Sequence, residues 1–208
     1  ARPATVRVES YCTAAPEGHA PVGIGTGFFI AADGTLLTAY HVVRATRLGS
    51  GCPVRYQART VSDELFDLEM VAFDAVLDVA VMKADVPAPV PWLALGSRLP
   101  STGSDVLAIG NSRNDFLEDR VGTVLRRNVT ASQVSFASGT VETTASLAPG
   151  DSGGPLLNSA GEVIGVVSYI SFATGPASEE QGLIPRLIRS TFDRPDYTSY
   201  AVPVLAGG

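Results

Sequence analysis

The run Gly150-Asp151-Ser152-Gly153-Gly154-Pro155 sets a serine inside a glycine-rich turn. Glycine lets the backbone take tight conformations that a Cβ would hinder. Backbone N–H groups in such a turn can converge on a point where negative charge develops during acyl transfer, while the Ser hydroxyl projects at the carbonyl under attack. A hydroxyl is a weak nucleophile at neutral pH. It needs a base within hydrogen-bond reach, and that base needs a third group to orient it. Ser152 is therefore the candidate nucleophile, and a His and a carboxylate are the partners to find.

Chain order narrows the choice. The chain holds two histidines, His19 and His41. The G-x-S-x-G elbow with its His after the Ser is excluded, because no His follows position 41. The order Asp, His, Ser needs an Asp before His41, and the nearest, Asp33, belongs to an Asp33-Gly34 turn. The order His, Asp, Ser remains. His41 follows the apolar run Leu36-Leu37-Thr38-Ala39-Tyr40, a strand end from which a base can reach across a cleft. His19 sits between Gly18 and Ala20 in a Pro-rich loop and receives no role. Candidate acids between His41 and Ser152 include Asp63, Asp67, Asp74, Asp78, Asp85, Asp105 and Asp115. Asp78 opens the run Val79-Ala80-Val81-Met82-Lys83, so it falls at the mouth of an apolar strand, where a partly buried carboxylate can accept the second ring N–H of His41. Asp74 fits the preceding turn better.

The elements that must position these groups are mostly strands. Gly25 to Ala39 reads as two apolar runs joined at Asp33-Gly34, a strong hairpin signal. A second hairpin runs from Gly153 through Asn158-Ser159-Ala160-Gly161 to Val167, and a third joins Phe136-Ala137 to Thr140-Val141 across Ser138-Gly139. Thr5 to Tyr11 alternates as a strand does. Helical signals are few: a turn or two over Val42 to Leu48, and Glu179 to Phe192 with Leu183, Ile184, Leu187 and Ile188 at helical spacing. Pro87, Pro89 and Pro91 exclude a central strand and mark an extended connector between two halves, residues 1–90 and 91–208.

Composition bounds the function. Of 208 residues 45% are hydrophobic and 17% charged, against about 25% charged in an average domain, so the chain can bury a substantial core. The net charge of −6 argues against nucleic acid as a main partner. No apolar run approaches the roughly 20 residues that cross a bilayer as a helix. Two Cys and two His at scattered spacings exclude a structural zinc site, and no metal or organic cofactor is expected. Cys12 and Cys52 form a disulfide if the chain is exported; buried free thiols are the alternative. The triplet Asn128-Val129-Thr130 fits a glycosylation acceptor, a pattern that also arises by chance. The expected location is secreted or periplasmic.

The segments T-G-F-F-I-A-A-D-G-T-L-L-T-A-Y-H-V-V, L-D-V-A-V-M-K and A-P-G-D-S-G-G-P-L-L-N-S-A-G-E-V-I-G-V resemble the trypsin-like serine peptidases, nearest to the bacterial HtrA (Deg) group. Val106 to Asn111 and Gly122-Thr123-Val124 resemble that group's second-barrel strands. The resemblance implies an all-β, chymotrypsin-like fold of two antiparallel barrels. Barrel 1, within residues 1–90, carries His41 and Asp78. Barrel 2, within 91–208, carries Ser152 and a short C-terminal helix. It makes His41, Asp78 and Ser152 the triad of a serine endopeptidase acting on polypeptides. It makes the N–H groups of Gly150 and Ser152 the oxyanion hole, and Ser168 the support of the acid beside the strand that pairs with substrate. The alternative is a protease-like domain that binds peptides with little turnover.

One departure from the HtrA pattern lies in the serine run itself. HtrA proteins usually have Asn before the nucleophile, where this chain has Asp151. In trypsin-like enzymes the primary pocket has its floor six residues before the nucleophile, here Ser146, and one wall on the strand Ser168-Tyr169-Ile170. With no carboxylate at Ser146 nothing offsets the burial of a cationic side chain, and a branched Ile170 shortens the pocket. Small aliphatic residues before the scissile bond are expected.

Overall fold

The computed structural model describes residues 1–16, 18–49, 51–112, 116–129, 140–172 and 197–206. A 3-10 turn at Arg2–Ala4 leads into the first barrel, built from β1 (Thr5–Cys12), β2 (Gly23–Phe29), β3 (Thr35–Ala39), β4 (Val54–Arg59), β5 (Leu65–Asp74) and β6 (Val79–Ala84). The second is built from β7 (Asp105–Gly110), β8 (Glu118–Val129), β9 (Thr140–Thr143), β10 (Pro155–Leu157), β11 (Val163–Phe172) and β12 (Tyr197–Pro203). Both barrels close, in the orders β1-β2-β3-β6-β5-β4 and β10-β11-β12-β9-β8-β7, and their pairings are antiparallel. The all-β, two-barrel architecture expected from the sequence is the one observed. Among the described residues no helix is long and apolar enough to cross a membrane.

Local chemistry explains the hairpins. At Asp33-Gly34 the Asp33 carboxylate accepts the N–H and the hydroxyl of Thr35, closing the turn between β2 and β3. In β6 alternate residues Ala80, Met82 and Ala84 are buried, the period of two that one-sided burial imposes on a strand. They join Val6, Val8, Phe29 and Leu36 in the core of barrel 1. Val106, Ala108, Val141, Leu156 and Ile164 lie in the core of barrel 2. A third cluster brings together Phe28 and Leu37 from the first barrel with Ile109, Leu157 and Val166 from the second. Each such side chain contributes about 1.5–3 kcal/mol by leaving water, so the seam between the barrels is held as a core is held.

Barrel 1 also buries a charge. Glu9 is fully buried and accepts hydrogen bonds from Arg7, Arg59 and Tyr11 at 2.7, 2.9 and 2.6 Å. Burial alone would raise its pKa; the bonds from Arg59, Tyr11 and Arg7 outweigh burial and hold the carboxyl below its usual range. Arg7 reaches on to barrel 2, its guanidinium 4.9 Å from the centre of the Phe116 ring.

Cys12 at the end of β1 is bonded to Cys52 in the loop before β4, with Cα atoms 5.7 Å apart and a sequence separation of 40. In the chain-entropy account a loop of that length stabilises the fold by about 4 kcal/mol. Mass spectrometry of the denatured, unreduced protein after thiol alkylation is expected to show no adduct, and two adducts after reduction. Two alkylated thiols without reduction would contradict the bond.

One helix differs from the sequence expectation. The turn expected over Val42 to Leu48 is the single α-helical turn α1 (Tyr40–Val43). From Arg44 onward the chain is recruited elsewhere: Arg47 bridges Pro53, Leu48 N–H donates to Cys52 C=O, and Val54 N–H donates to Thr46 C=O. A local helical preference loses to the loop that the disulfide closes. The Pro-rich stretch forms no strand, as expected; β6 ends at Ala84, and the next strand, β7, begins at Asp105. The expected helix at Glu179 to Phe192, the Phe136-Ala137 arm of the third hairpin and Thr130 of the Asn-x-Thr triplet lie outside the described residues.

Candidate active site

His41 is supplied by α1, immediately beyond β3. Asp78 precedes β6, which pairs with β3, so sheet register carries the two together: Ala39, two residues before His41, stands opposite Val79, one residue after Asp78. Tyr40 N–H donates to the Asp78 carbonyl at 3.1 Å. The Asp78 carboxylate then accepts His41 N–H at 2.8 Å through Oδ1, and faces His41 Nδ1 at 2.7 Å through Oδ2. This double contact fixes both the backbone and the ring of His41. Asp78 takes a left-handed backbone, φ 55°, which Asp tolerates better than most residues.

The second barrel completes the arrangement. Ser168 on β11 donates its hydroxyl to Asp78 Oδ2 at 2.6 Å, and its carbonyl accepts Ser152 Oγ at 3.3 Å. Burial alone would raise the Asp78 pKa; the hydrogen bonds from His41 and Ser168 outweigh it and hold the carboxyl below its usual range. The group is therefore ionised at neutral pH, with only 8% of its surface exposed. His41 and Ser152 line one cleft of about 290 Å³ with Val8, Ile24, Val42 and Gly150. Among the described residues no hydrogen bond joins His41 to Ser152; in enzymes of this chemistry that bond often tightens only with substrate present.

The serine turn is pinned from both barrels. Gly150 has φ 106° and Gly153 φ 87°, and a Cβ at Gly153 would collide with the Thr26 carbonyl and the Thr38 hydroxyl. Thr26 N–H donates to Ser152 C=O at 2.8 Å, and Thr26 Oγ1 donates to Gly150 C=O at 2.7 Å. Asn111, after β7, donates to Thr26 Oγ1 at 3.0 Å and accepts Leu117 N–H at 3.1 Å. With both carbonyls engaged, the Gly150–Asp151 and Ser152–Gly153 peptide planes are set. Among the described residues neither Gly150 N–H nor Ser152 N–H has an acceptor, so both donors are available to a developing oxyanion.

Most of the residues singled out in the sequence meet here: His41, Asp78, Ser152, Gly150 and Ser168. Asp74 does not; its Oδ1 caps the turn after β5 by accepting Val76 and Leu77 N–H at 2.8 and 2.9 Å. Ser146 is half-buried before the serine turn. Tyr169 and Ile170 lie on β11, opposite Tyr200 and Ser199 of β12. Thr26 and Asn111 were not foreseen as site residues. Their only signal in the sequence was proximity to the motifs Thr26-Gly27-Phe28 and Ile109-Gly110-Asn111.

Residues 25–166 match the family model for a trypsin-like peptidase domain. The chain is 32% identical over 185 residues to "Protease Do-like 1, chloroplastic" of Arabidopsis thaliana, covering 81% of this chain and 40% of that protein. It is 34% identical over 164 residues to "Serine protease HTRA2, mitochondrial" of Bos taurus, covering 74% and 34%. It is 30% identical over 152 residues to a "Probable periplasmic serine endoprotease DegP-like" of Chlamydia pneumoniae, covering 73% and 30%. The chain thus spans well under half the length of these relatives. Among solved structures the "HtrA-type protease AlgW with tripeptide" superposes with a TM-score of 0.74 at 23% identity, covering 98% of this chain and 57% of that one, a likeness of fold. Two closed barrels, a serine turn set between them and a family match over most of the chain agree: the chain belongs to the trypsin-like peptidase family and resembles its HtrA-type members.

Proposed function

We propose that the chain is a serine endopeptidase that cleaves polypeptides through an acyl-enzyme on Ser152. The observation that carries this reading is the unbroken contact line from Ser152 through Ser168 and Asp78 to His41, with His41 and Ser152 facing one cleft. His41 removes the Ser152 proton as Oγ attacks the scissile carbonyl, and Asp78 holds the ring in the tautomer that leaves Nε2 free to accept it. The N–H groups of Gly150 and Ser152 stabilise the tetrahedral oxyanion. His41 then protonates the leaving amine, and water repeats the sequence on the ester. One observation favours the binding-only alternative: Ser152 Oγ is spent on Ser168 C=O. A measurable kcat that disappears in Ser152→Ala separates the two.

The specificity reading rests on the trypsin-like pattern of the sequence, in which Ser146 falls at the floor of the primary pocket and Ile170 on one wall. A pocket without a carboxylate and narrowed by a branched side chain selects Ala, Val or similar residues before the cleaved bond. Profiling on a mixed peptide library is expected to show that preference, and Ile170→Gly is expected to admit larger side chains. A clear preference of the unaltered protein for Arg, Lys or large aromatics would refute this pocket. Export to an oxidising compartment is the location that the Cys12–Cys52 bond and the periplasmic name of one relative support.

A further inference from the structure

The cleft that His41 and Ser152 share extends to one side of them. Beyond the reacting groups it is walled by Val8 of β1, Ile24 of β2, Val42 of α1 and Pro149. Among the described residues it takes no wall from Ser146 or Ser168, the floor and the strand assigned to the residue before the scissile bond. The space therefore lies across the nucleophile from that strand, where the leaving amine departs. Its wall follows from the sheet. β2 pairs with β3 only from Gly27 to Phe29, so Gly23 to Thr26 run past the end of β3 and face the cleft. A Cβ at Gly25 would collide with Val42, and its absence lets Val42 lie flat against β2. Ile24, beside it, is 46% exposed. Apart from His41 the described lining holds no ionisable side chain. Glu9, between Val8 and Ser10, is fully buried and spent on Arg7, Arg59 and Tyr11.

We propose that Ile24 is a specificity-determining residue, which with Val42 and Val8 selects substrates whose residue directly after the scissile bond is large and apolar. This rests on the reading of Ser152 as nucleophile and His41 as proton donor to the leaving amine. That amine must stand within hydrogen-bond reach of His41. The side chain of the residue that bears it then falls against the nearest surface beyond the triad, the wall of Val42 and Ile24. A leucine or phenylalanine there takes its own surface and that of Ile24 out of water together. Glycine leaves Ile24 wet. A charged side chain loses hydration and meets no counter-charge in the wall. The cleft, about 290 Å³, holds on the order of ten water volumes, which is room for a ring or a branched chain. The substrate is thus read on both sides of the bond, and the leaving side asks for the bulkier apolar residue.

The test reads the leaving side alone, by offering the acyl-enzyme a choice of amines. The acyl donor is whichever peptide ester is turned over fastest from a set ending in Ala, Val, Leu, Phe and Lys. Leu-, Phe-, Gly-, Asp- and Arg-amide are added in turn, each corrected for its fraction of free amine. The amine nitrogen attacks the ester carbonyl and His41 takes its proton. The bond to Ser152 Oγ then breaks, Oγ recovers that proton, and a peptide forms where water would give the acid. The ratio of peptide to acid is the readout, so a general loss of activity cancels. In the unaltered protein Leu- and Phe-amide are expected to capture the acyl group about tenfold or more better than Gly- or Asp-amide, the scale of burying one large apolar side chain. Ile24→Ala is expected to shrink the Leu-to-Gly ratio by about threefold or more. Ile24→Glu is expected to raise Arg-amide relative to Leu-amide by about tenfold or more, because the wall then carries a counter-charge. Equal capture of Leu- and Gly-amide by the unaltered protein would overturn the inference, as would one ranking shared by all three proteins. An unaltered protein with no Ser152-dependent turnover of any ester would instead overturn the reading on which it rests.

Discussion

Ser152→Ala lowers kcat on a peptide substrate by about 10⁴-fold or more and leaves the fold in place. The size follows from removing the only atom that forms the acyl bond: water must then attack directly, with the hole and the binding cleft still present. The stability side follows from how little Oγ does for the fold. Its hydrogen bond to Ser168 C=O is long, 3.3 Å, and half-exposed. Losing it costs no more than about 1 kcal/mol. The turn is held instead by its backbone, through Thr26 N–H on Ser152 C=O and Gly153 N–H on Val167 C=O. Turnover and thermal unfolding measured on the same preparation check both halves. A folded Ser152→Ala protein with ordinary turnover would exclude Ser152 as nucleophile.

The second large effect is Asp78→Asn, with Asp74→Asn as its internal control. Asp78 Oδ1 accepts the His41 backbone N–H, while Oδ2 faces His41 Nδ1 and accepts Ser168 Oγ. An amide has one oxygen. If that oxygen keeps the backbone N–H, the NH₂ group meets Nδ1 and imposes the tautomer whose Nε2 already carries a proton, which cannot take the one on Ser152. A loss of roughly 10⁴-fold in kcat is expected. Backbone strain does not confound the result, because Asn tolerates the left-handed conformation at φ 55° as Asp does. At Asp74 an Asn oxygen can accept the same two turn N–H groups, so Asp74→Asn changes kcat by less than about twofold. The depressed pKa of Asp78 adds a stability sign. The ionised group stabilises the fold above the pKa it has in the unfolded chain, and that contribution is lost as pH falls through its lower folded value. A crippling Asp74→Asn beside a mild Asp78→Asn would reverse the choice of acid.

Much of this site is readable in the sequence because its parts are local. A serine turn needs glycines in succession, and the Gly150 to Pro155 run supplies them. The scarcity of histidine leaves His41 as the base, and Asp78 shows itself by standing at the start of an apolar strand. The chain did not advertise what holds these parts in place. Thr26 and Asn111 meet across 85 residues, and Arg120 reaches Asp151 only because β7 and β8 pair, so no short pattern records either contact. The strand β5 was similarly hidden. Its ten residues are exposed or half-exposed, with Leu65, Phe66, Leu68, Met70, Val71 and Phe73 mixed among charges rather than alternating cleanly. It is a strand because β4 and β6 flank it and the barrel closes through it. Helix at Val42 to Leu48 was overestimated for the converse reason, since a distant disulfide and its loop reclaim residues that are locally able to coil.

The most direct test is covalent. A fluorophosphonate reacts only with a serine whose proton has a base to go to and whose adduct oxygen has donors to meet. Incubated with the folded protein, digested and mapped by mass spectrometry, the probe is expected on Ser152 alone, with labelling abolished in Ser152→Ala and in His41→Ala. No labelling of the folded protein, or labelling at another serine that survives in Ser152→Ala, would contradict the account.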